Sequence, residues 1–408
     1  MNLSHFPILY PFAAGLLVAC SVSSAANASE ELEVSVGETI EIASSSGYCY
    51  FPTVHRFQNG EIFATIRMSA DDTILESEFS AYSISTDGGE TWGSRYTIGG
   101  SAAVDAAYSY NPLNDGSIMV LGTGFCTVEP YPAGQASQFH IAVTKYSRGG
   151  RDVTVMRDAV LRLSDPAKGT PVKRPGEMKR ERTFEVVPWG AIVEGSANDL
   201  LATAYFMAER DSKYRRLVLL RSTDMGRTWT QYSTVAAIEP GENPPPWWGD
   251  EGPNEAAIVR TKDNGLLTVF RTGNGGANLG QTRSADGGKT WSPPEPTGLK
   301  GVAPRLRLLS NGVLALATGR PAPVSLTFSV DGNGEKWSHV TEIYGGKEAF
   351  EKGTQKHRTN YTDFVEVEPG KILIVYDSAP YGGGKPVPAD DHTSRNRVLG
   401  TFVQVQRK

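Results

Sequence analysis

Short apolar runs, each opened by turn residues, recur along this chain. They are Asn59-Gly60-Glu61-Ile62-Phe63-Ala64, Asp115-Gly116-Ser117-Ile118-Met119-Val120, Asn198-Asp199-Leu200-Leu201-Ala202-Thr203, Asn264-Gly265-Leu266-Leu267-Thr268-Val269, Asn311-Gly312-Val313-Leu314-Ala315-Leu316 and Pro369-Gly370-Lys371-Ile372-Leu373-Ile374. Each reads as a hairpin turn followed by a buried strand. The first, third, fourth and fifth runs are followed by a second repeat, Ser-x-Asp-x-Gly-x-Thr-Trp. Three copies begin at Ser85, Ser222 and Ser284, and a degenerate copy runs from Ser329 to Trp337 with one extra residue. Ser and Asp side chains hold backbone N–H groups of a tight turn, and Gly takes the positive φ. The Trp ring then buries beneath the turn, for a few kcal/mol if fully covered. The Asp is therefore read as a turn former, not as a catalytic acid or metal ligand.

Six such units at roughly 60 residues each suit the four short strands of a propeller blade. At the start, Leu32, Val34 and Val36 alternate onto one face of a strand, and Val398 to Val405 reads as another. The two ends are expected to share the last blade and close the ring, which removes open sheet edges. The fold expected over residues 30–408 is thus all-β, a six-bladed β-propeller.

Composition fits a turn-rich β chain, with 44 Gly and 25 Pro, and a net charge of −5 argues against a nucleic-acid partner. Residues 1–28 read as an export signal. Phe6 to Val22 is mostly apolar, too short and too Pro-interrupted for a transmembrane span, and Ala26-Asn27-Ala28 is a small-x-small cleavage site. Leu17-Val18-Ala19-Cys20 also fits a lipoprotein site that would anchor Cys20 to a membrane. The expectation is an exported, periplasmic or extracellular protein, monomeric, with or without that anchor. Cys49 and Cys126 could pair in an oxidising compartment or remain two buried thiols. His55, His140 and His357 form no metal spacing, and no metal or cofactor is expected. The stretch from Asp165 to Gly176, followed by Lys179, Arg180 and Arg182, reads as a solvated loop.

Boxed turns on a six-unit all-β chain resemble the sialidase (neuraminidase) superfamily, over nearly the whole mature chain. In that family the box lies on the face away from the active site. The resemblance therefore places function at the ends of the inner strands. It implies a general acid at Asp71 or Asp72, after Arg67-Met68, and a carboxylate base at Glu255 in Gly252-Pro253-Asn254-Glu255. It implies substrate-clamping arginines at Arg271 and Arg320, and a nucleophile at Tyr361 in Asn360-Tyr361-Thr362-Asp363. Asp377, in Val375-Tyr376-Asp377, stands where sialidases carry a Glu that supports a clamp Arg. That Arg, from an Arg-Ile-Pro motif, is replaced here by Tyr50 in Cys49-Tyr50-Phe51-Pro52. Arg56, Arg305 or Arg358 could supply a third guanidinium instead.

The residue types make joint chemical sense. A phenol of pKa about 10 becomes a nucleophile when an adjacent carboxylate takes its proton during attack, and an acid opposite protonates the leaving oxygen. A neutral nucleophile suits a sugar whose anomeric carbon bears a carboxylate, and sialidases are a known Tyr exception to the two-carboxylate scheme. Trp247 and Trp248, just before Glu255, could form a stacking wall for a sugar ring. The function implied is an exo-glycoside hydrolase removing a terminal acidic sugar from a glycan. A lyase with Tyr361 or His357 as base, with Arg271 neutralising a uronate, and a non-catalytic glycan-binding propeller are the alternatives.

Overall fold

The computed structural model describes residues 32–45, 49–68, 79–97, 110–113, 115–122, 124–126, 135–147, 151–168, 170–171, 182–195, 199–208, 213–273, 276–320, 323–345, 360–378, 381–382, 385–386 and 396–408. Asp71, Asp72, Cys20, His357 and Arg358 lie outside them. Regular structure among the described residues is all β, and each predicted apolar run forms the second strand of a four-strand meander.

The first meander runs Cys49–Arg56, Ile62–Met68, Phe79–Ser85 and Tyr96–Thr97. The fourth runs Asn254–Arg260, Leu266–Arg271, Asn278–Ser284 and Glu295–Lys300, and the fifth Val302–Leu308, Leu314–Gly319, Val324–Ser329 and Ser338–Tyr344. In the last meander Thr362–Glu368, Lys371–Asp377 and Asn396–Arg407 are completed by the N-terminal strand Leu32–Ser45. Val34 pairs with Val405 and Val36 with Val403, so the two ends of the chain share one sheet as expected.

The second and third meanders are joined into one sheet, which the sequence did not suggest. The second comprises Tyr110–Pro112, Ile118–Leu121, Gln135–Ser147 and Asp152–Lys168; the third Arg182–Glu194, Leu200–Phe206, Arg216–Ser222 and Thr228–Ala236. Their outer strands pair in parallel at Val160–Arg162 and Thr228–Thr230, and Gly124–Cys126 pairs along the inner strand of the third. Asp165 to Lys168 therefore belongs to a strand, not to the loop read from its Pro and Gly.

Each sheet packs its faces on two neighbours. Phe63 with Val120 and Tyr146 seals the first against the second. Phe139, Leu161 and Trp229 seal the second against the third, and Leu219, Ile258 and Phe270 the third against the fourth. Leu267 meets Leu316, Phe328 meets Phe364, and Leu373 meets Ile62 and Ala64, which returns the ring to its start. Each of the Val, Leu, Ile and Phe side chains among them contributes about 1.5–3 kcal/mol by leaving water.

The boxed turns repeat one hydrogen-bond set. Ser85 Oγ donates to Asp87 Oδ1 at 2.7 Å and accepts Gly89 N–H at 2.8 Å; Thr91 N–H donates to Asp87 Oδ1 at 3.0 Å. The same bonds join Ser222, Asp224, Gly226 and Thr228, and Ser284, Asp286, Gly288 and Thr290. In the degenerate copy the extra residue shifts the donor one place along, and Gly334 N–H donates to Ser329 Oγ at 3.0 Å. Gly288 has φ +90°, and a Cβ there would lie 2.3 Å from Leu219, so glycine is required for both backbone and packing.

These bonds favour the ionised box carboxylates. The Thr91 hydroxyl, then its N–H, holds Asp87 down to about 2, and Thr290 likewise holds Asp286 low. A carboxyl whose folded pKa is depressed adds stability above its unfolded pKa of about 3.9, and that stability is lost as pH falls through the folded value. The melting temperature is therefore expected to fall between about pH 4 and pH 2. The double variant Asp87→Asn, Asp286→Asn should start lower at neutral pH and fall less steeply; an unchanged slope would reject the assignment.

Candidate active site

The innermost strands share a local irregularity at one end. Phe51 (φ +51°), Gly190 (+81°), Glu255 (+41°) and Ala303 (+46°) each stand in a break of the pairing register, between Tyr50 and Thr53, Trp189 and Ile192, Asn254 and Ala257, and Val302 and Arg305. Asn360 (+47°) takes the same conformation immediately before the last inner strand. A bulge of this kind re-aims a side chain and frees an N–H from the ladder. Left-handed backbone at a non-glycine residue costs on the order of 1–3 kcal/mol and collects at functional sites.

Carboxylates take up the freed N–H groups. Ala303 N–H donates to Glu255 Oε2 at 3.0 Å. Phe51 N–H and Asn360 N–H donate to the two oxygens of Asp377, each at 3.1 Å. Glu255 and Asp377 thus stitch the fourth meander to the fifth, and the first to the last.

Glu255 is the hub. Its Oε1 accepts the Tyr361 hydroxyl at 2.5 Å and Arg271 Nη1 at 2.9 Å. Tyr361, Glu255 and Arg271 are all buried. Burial pushes the Glu255 carboxyl up, but the Arg271 guanidinium and the Tyr361 hydroxyl outweigh it and hold it below the ordinary value. Burial, and then the Glu255 charge, push the Tyr361 phenol well above its own. The ground state is therefore a neutral phenol donating to a carboxylate. The arrangement is able to pass a proton to Glu255 if the phenol oxygen attacks an electrophile.

Arg271 has two acidic partners. Its Nη2 reaches Glu251 Oε1 at 2.8 Å, while Nε donates to the Gly273 carbonyl at 2.8 Å. Sequence reasoning missed Glu251, whose loop position gives no signal. Arg320 stands over the Tyr361 ring, its Cζ 5.7 Å from the centroid. Phe51 stacks on that ring at 4.3 Å, and Trp189 meets it edge-on at 6.1 Å. Trp189 and Phe51 were also missed; the signal for Trp189 was Gly190 beside it, the one bulge that uses glycine.

Tyr50 is buried edge-on to Phe51, and Arg67 lies 5.9 Å from its ring. Trp247 and Trp248 meet edge-on at 5.8 Å, and Trp248 packs over Phe270 in the seam between third and fourth sheets. Their loop reaches the Tyr361 cluster through Glu251. Arg305 stands 5.5 Å from the Trp189 ring and lines a cavity of about 20 Å³ with Arg307 and Asp363. Asp363 accepts Val54 N–H at 3.0 Å, and burial drives the neighbouring His55 down to about 3. Cys49 is a free thiol, pushed up to about 12 by burial, and the Cys126 side chain lies outside the described part of the chain. Among the described residues no His, Cys, Asp or Glu group is arranged to hold a metal, and no helix is long and apolar enough to cross a membrane.

A ring of meanders with boxed turns at one end and a Tyr–Glu–Arg cluster at the other invites comparison with known folds. The family model described as a BNR repeat-like domain matches residues 190–374. The fold is a β-propeller like those of sialidases and an arabinanase. A protein of unknown function from Dyadobacter fermentans superposes with a TM-score of 0.64 at 19% identity, over 91% of this chain and 99% of the other. The α-L-arabinanase of Penicillium chrysogenum, solved with arabinobiose, gives 0.59 at 13% identity over 91% and 98%. The sialidase of Trypanosoma rangeli, solved with sialic acid, gives 0.51 at 14% identity, over 91% of this propeller but 58% of the sialidase. Among curated proteins none matches. At these identities the likeness concerns the glycoside-hydrolase-type fold of the propeller, and chemistry must come from its own residues.

Proposed function

We propose that this propeller is an exported exo-glycoside hydrolase that removes a terminal acidic sugar. Tyr361 is the nucleophile and Glu255 its proton acceptor; Asp71 or Asp72 is the acid that protonates the leaving oxygen and then activates water. The observation that carries the reading is the buried 2.5 Å hydrogen bond from Tyr361 to Glu255. Core packing does not call for a buried carboxylate beside a phenol at the strand mouths; Glu255 is kept there by its pairing with Arg271 and the Ala303 N–H, and such perturbed buried pairs collect at functional sites. Arg320 beside the phenol ring supplies positive charge for the acidic group of the sugar. Arg271 is partly neutralised by Glu251 and Glu255, so its larger task is to keep Glu255 ionised. The acidic group of the substrate is then met mainly by Arg320 rather than by three clamping arginines. This favours a broader range of acidic sugars, sialic acid and uronic acids among them. Residues 1–28 direct export, either as a signal removed after Ala28 or as a lipoprotein signal that ends before a lipidated Cys20.

The experiment is hydrolysis of fluorogenic glycosides: a sialoside, a glucuronide and an arabinofuranoside. Release from an acidic sugar is expected, with retention of anomeric configuration. Ultraviolet-absorbing unsaturated products in place of hydrolysis would move the assignment to a lyase. No turnover of any glycoside, with glycan binding preserved, would make the propeller a binding module.

A further inference from the structure

A second groove lies at the other end of the strands. In the first meander Arg67 pairs with Tyr50 at the mouth, while Ile62 pairs with Ser85 at the boxed turn. Five steps of about 3.3 Å each, from Ile62 to Arg67, separate these ends by roughly 16 Å. Beside the boxed turn, the first sheet and the tip of the second meander's hairpin enclose about 520 Å³. This volume lies within the range of small-molecule sites, and none of the Tyr361 cluster lines it.

The lining has a definite chemistry. Trp92 is half-buried, and its ring is fixed by a 3.1 Å bond from Nε1 to the Gly89 carbonyl. Tyr82, also half-buried, is held by its packing on Phe63 at 5.1 Å. Two rigid aromatic faces therefore border the groove, already ordered before any ligand arrives, which lowers the entropic cost of binding. Thr86 and Ser94 are exposed at its rim, and their hydroxyls have no hydrogen-bond partner among the described residues. The charge present is cancelled: Arg151 forms a forked pair with Glu61, at 2.6 and 2.7 Å. Nothing in the groove demands an ion. Aromatic faces with free hydroxyls and no net charge match the apolar C–H face and hydroxyl edge of a neutral pyranose.

We infer that this groove is a binding site for a neutral oligosaccharide, with one pyranose ring stacked on Trp92 and its hydroxyls bonded to Thr86 and Ser94. It is independent of the proposed catalysis: it would retain the neutral part of a glycan whether or not the Tyr361 cluster cleaves anything.

The test uses the full chain carrying Tyr361→Phe, to exclude turnover, titrated with lactose, cellotriose and maltotriose by saturation-transfer and indole N–H nuclear magnetic resonance. At least one sugar is expected to bind with Kd of about 1 mM and to shift the Trp92 indole signal. Trp92→Ala should weaken that binding by about tenfold or more. Because this change also touches the boxed turn, Ser94→Tyr provides a second variant, which fills the groove from an exposed position and leaves the turn intact. It should give the same loss with an unchanged melting temperature. Arg271→Ala, in the other site, should leave binding as it was. The inference is overturned if none of the three sugars binds, if binding survives Ser94→Tyr, or if it disappears with Arg271→Ala.

Discussion

Turnover of the acidic glycoside is expected to fall by about 10³-fold or more when Tyr361 becomes Phe, with little change in stability. The substitution removes one oxygen atom. The ring keeps its stack on Phe51 and its edge contact with Trp189, so the packing of the mouth persists. Glu255 keeps two of its partners, Arg271 and the Ala303 N–H, and the lost hydrogen bond is worth about 1 kcal/mol. What disappears is the atom that attacks. The loss should fall on kcat more than on KM, because the group that goes acts in the transition state and the guanidinium over the ring remains. Steady-state kinetics and a thermal melt on the same preparation check both halves. A variant that retains wild-type kcat would end the nucleophile assignment; one that unfolds would show that the hydroxyl is structural.

The second large effect concerns stability. Asp377→Ala is expected to destabilise the protein by about 2–6 kcal/mol, because it leaves one buried and one half-buried backbone donor without their acceptor, at about 1–3 kcal/mol each. Those donors are the N–H groups of Phe51 and Asn360, which flank Tyr361 from the first and last meanders. Asp377→Asn keeps the volume but presents an NH₂ to one of the two donors, so it should fall between Ala and the wild type. Denaturant midpoints would order the three. If Asn equals Ala, the two oxygens do not share the work as described. The same bonds keep Asp377 occupied with the backbone, so an arginine introduced at position 50 should not gain it as a supporting carboxylate.

The sequence disclosed the scaffold because its signals are local. Asn264-Gly265 followed by Leu266–Val269 needs only its own turn and its own alternation to be read, and the strand Leu266–Arg271 begins where the pattern does. The pairing of the two chain ends followed from a topological argument about open edges. Residues with distant partners were less readable. Nothing local announces that Val160 would lie beside Thr228, since two outer strands meet there only after both sheets have formed. Glu251 looks like any loop carboxylate until the fold brings Arg271 to it. The left-handed backbone at Phe51, Glu255, Ala303 and Asn360 was invisible for another reason: glycine marks this conformation only at Gly190, and elsewhere the tertiary bonds impose it. Tyr361 and Glu255 could be named from family likeness, but their direct contact and its polarity required coordinates.

The recurring bulges also divide the mouth into interchangeable sockets. At Phe51, Ala303 and Asn360 a side chain can be exchanged without breaking a ladder bond, as the N–H is already held by a carboxylate. At Gly190 no exchange is open, because a Cβ would lie 2.2 Å from the Ala256 carbonyl oxygen. Re-tooling the scaffold toward another sugar is therefore a three-position problem, and asparagine, aspartate and glycine are the substitutions with least backbone resistance.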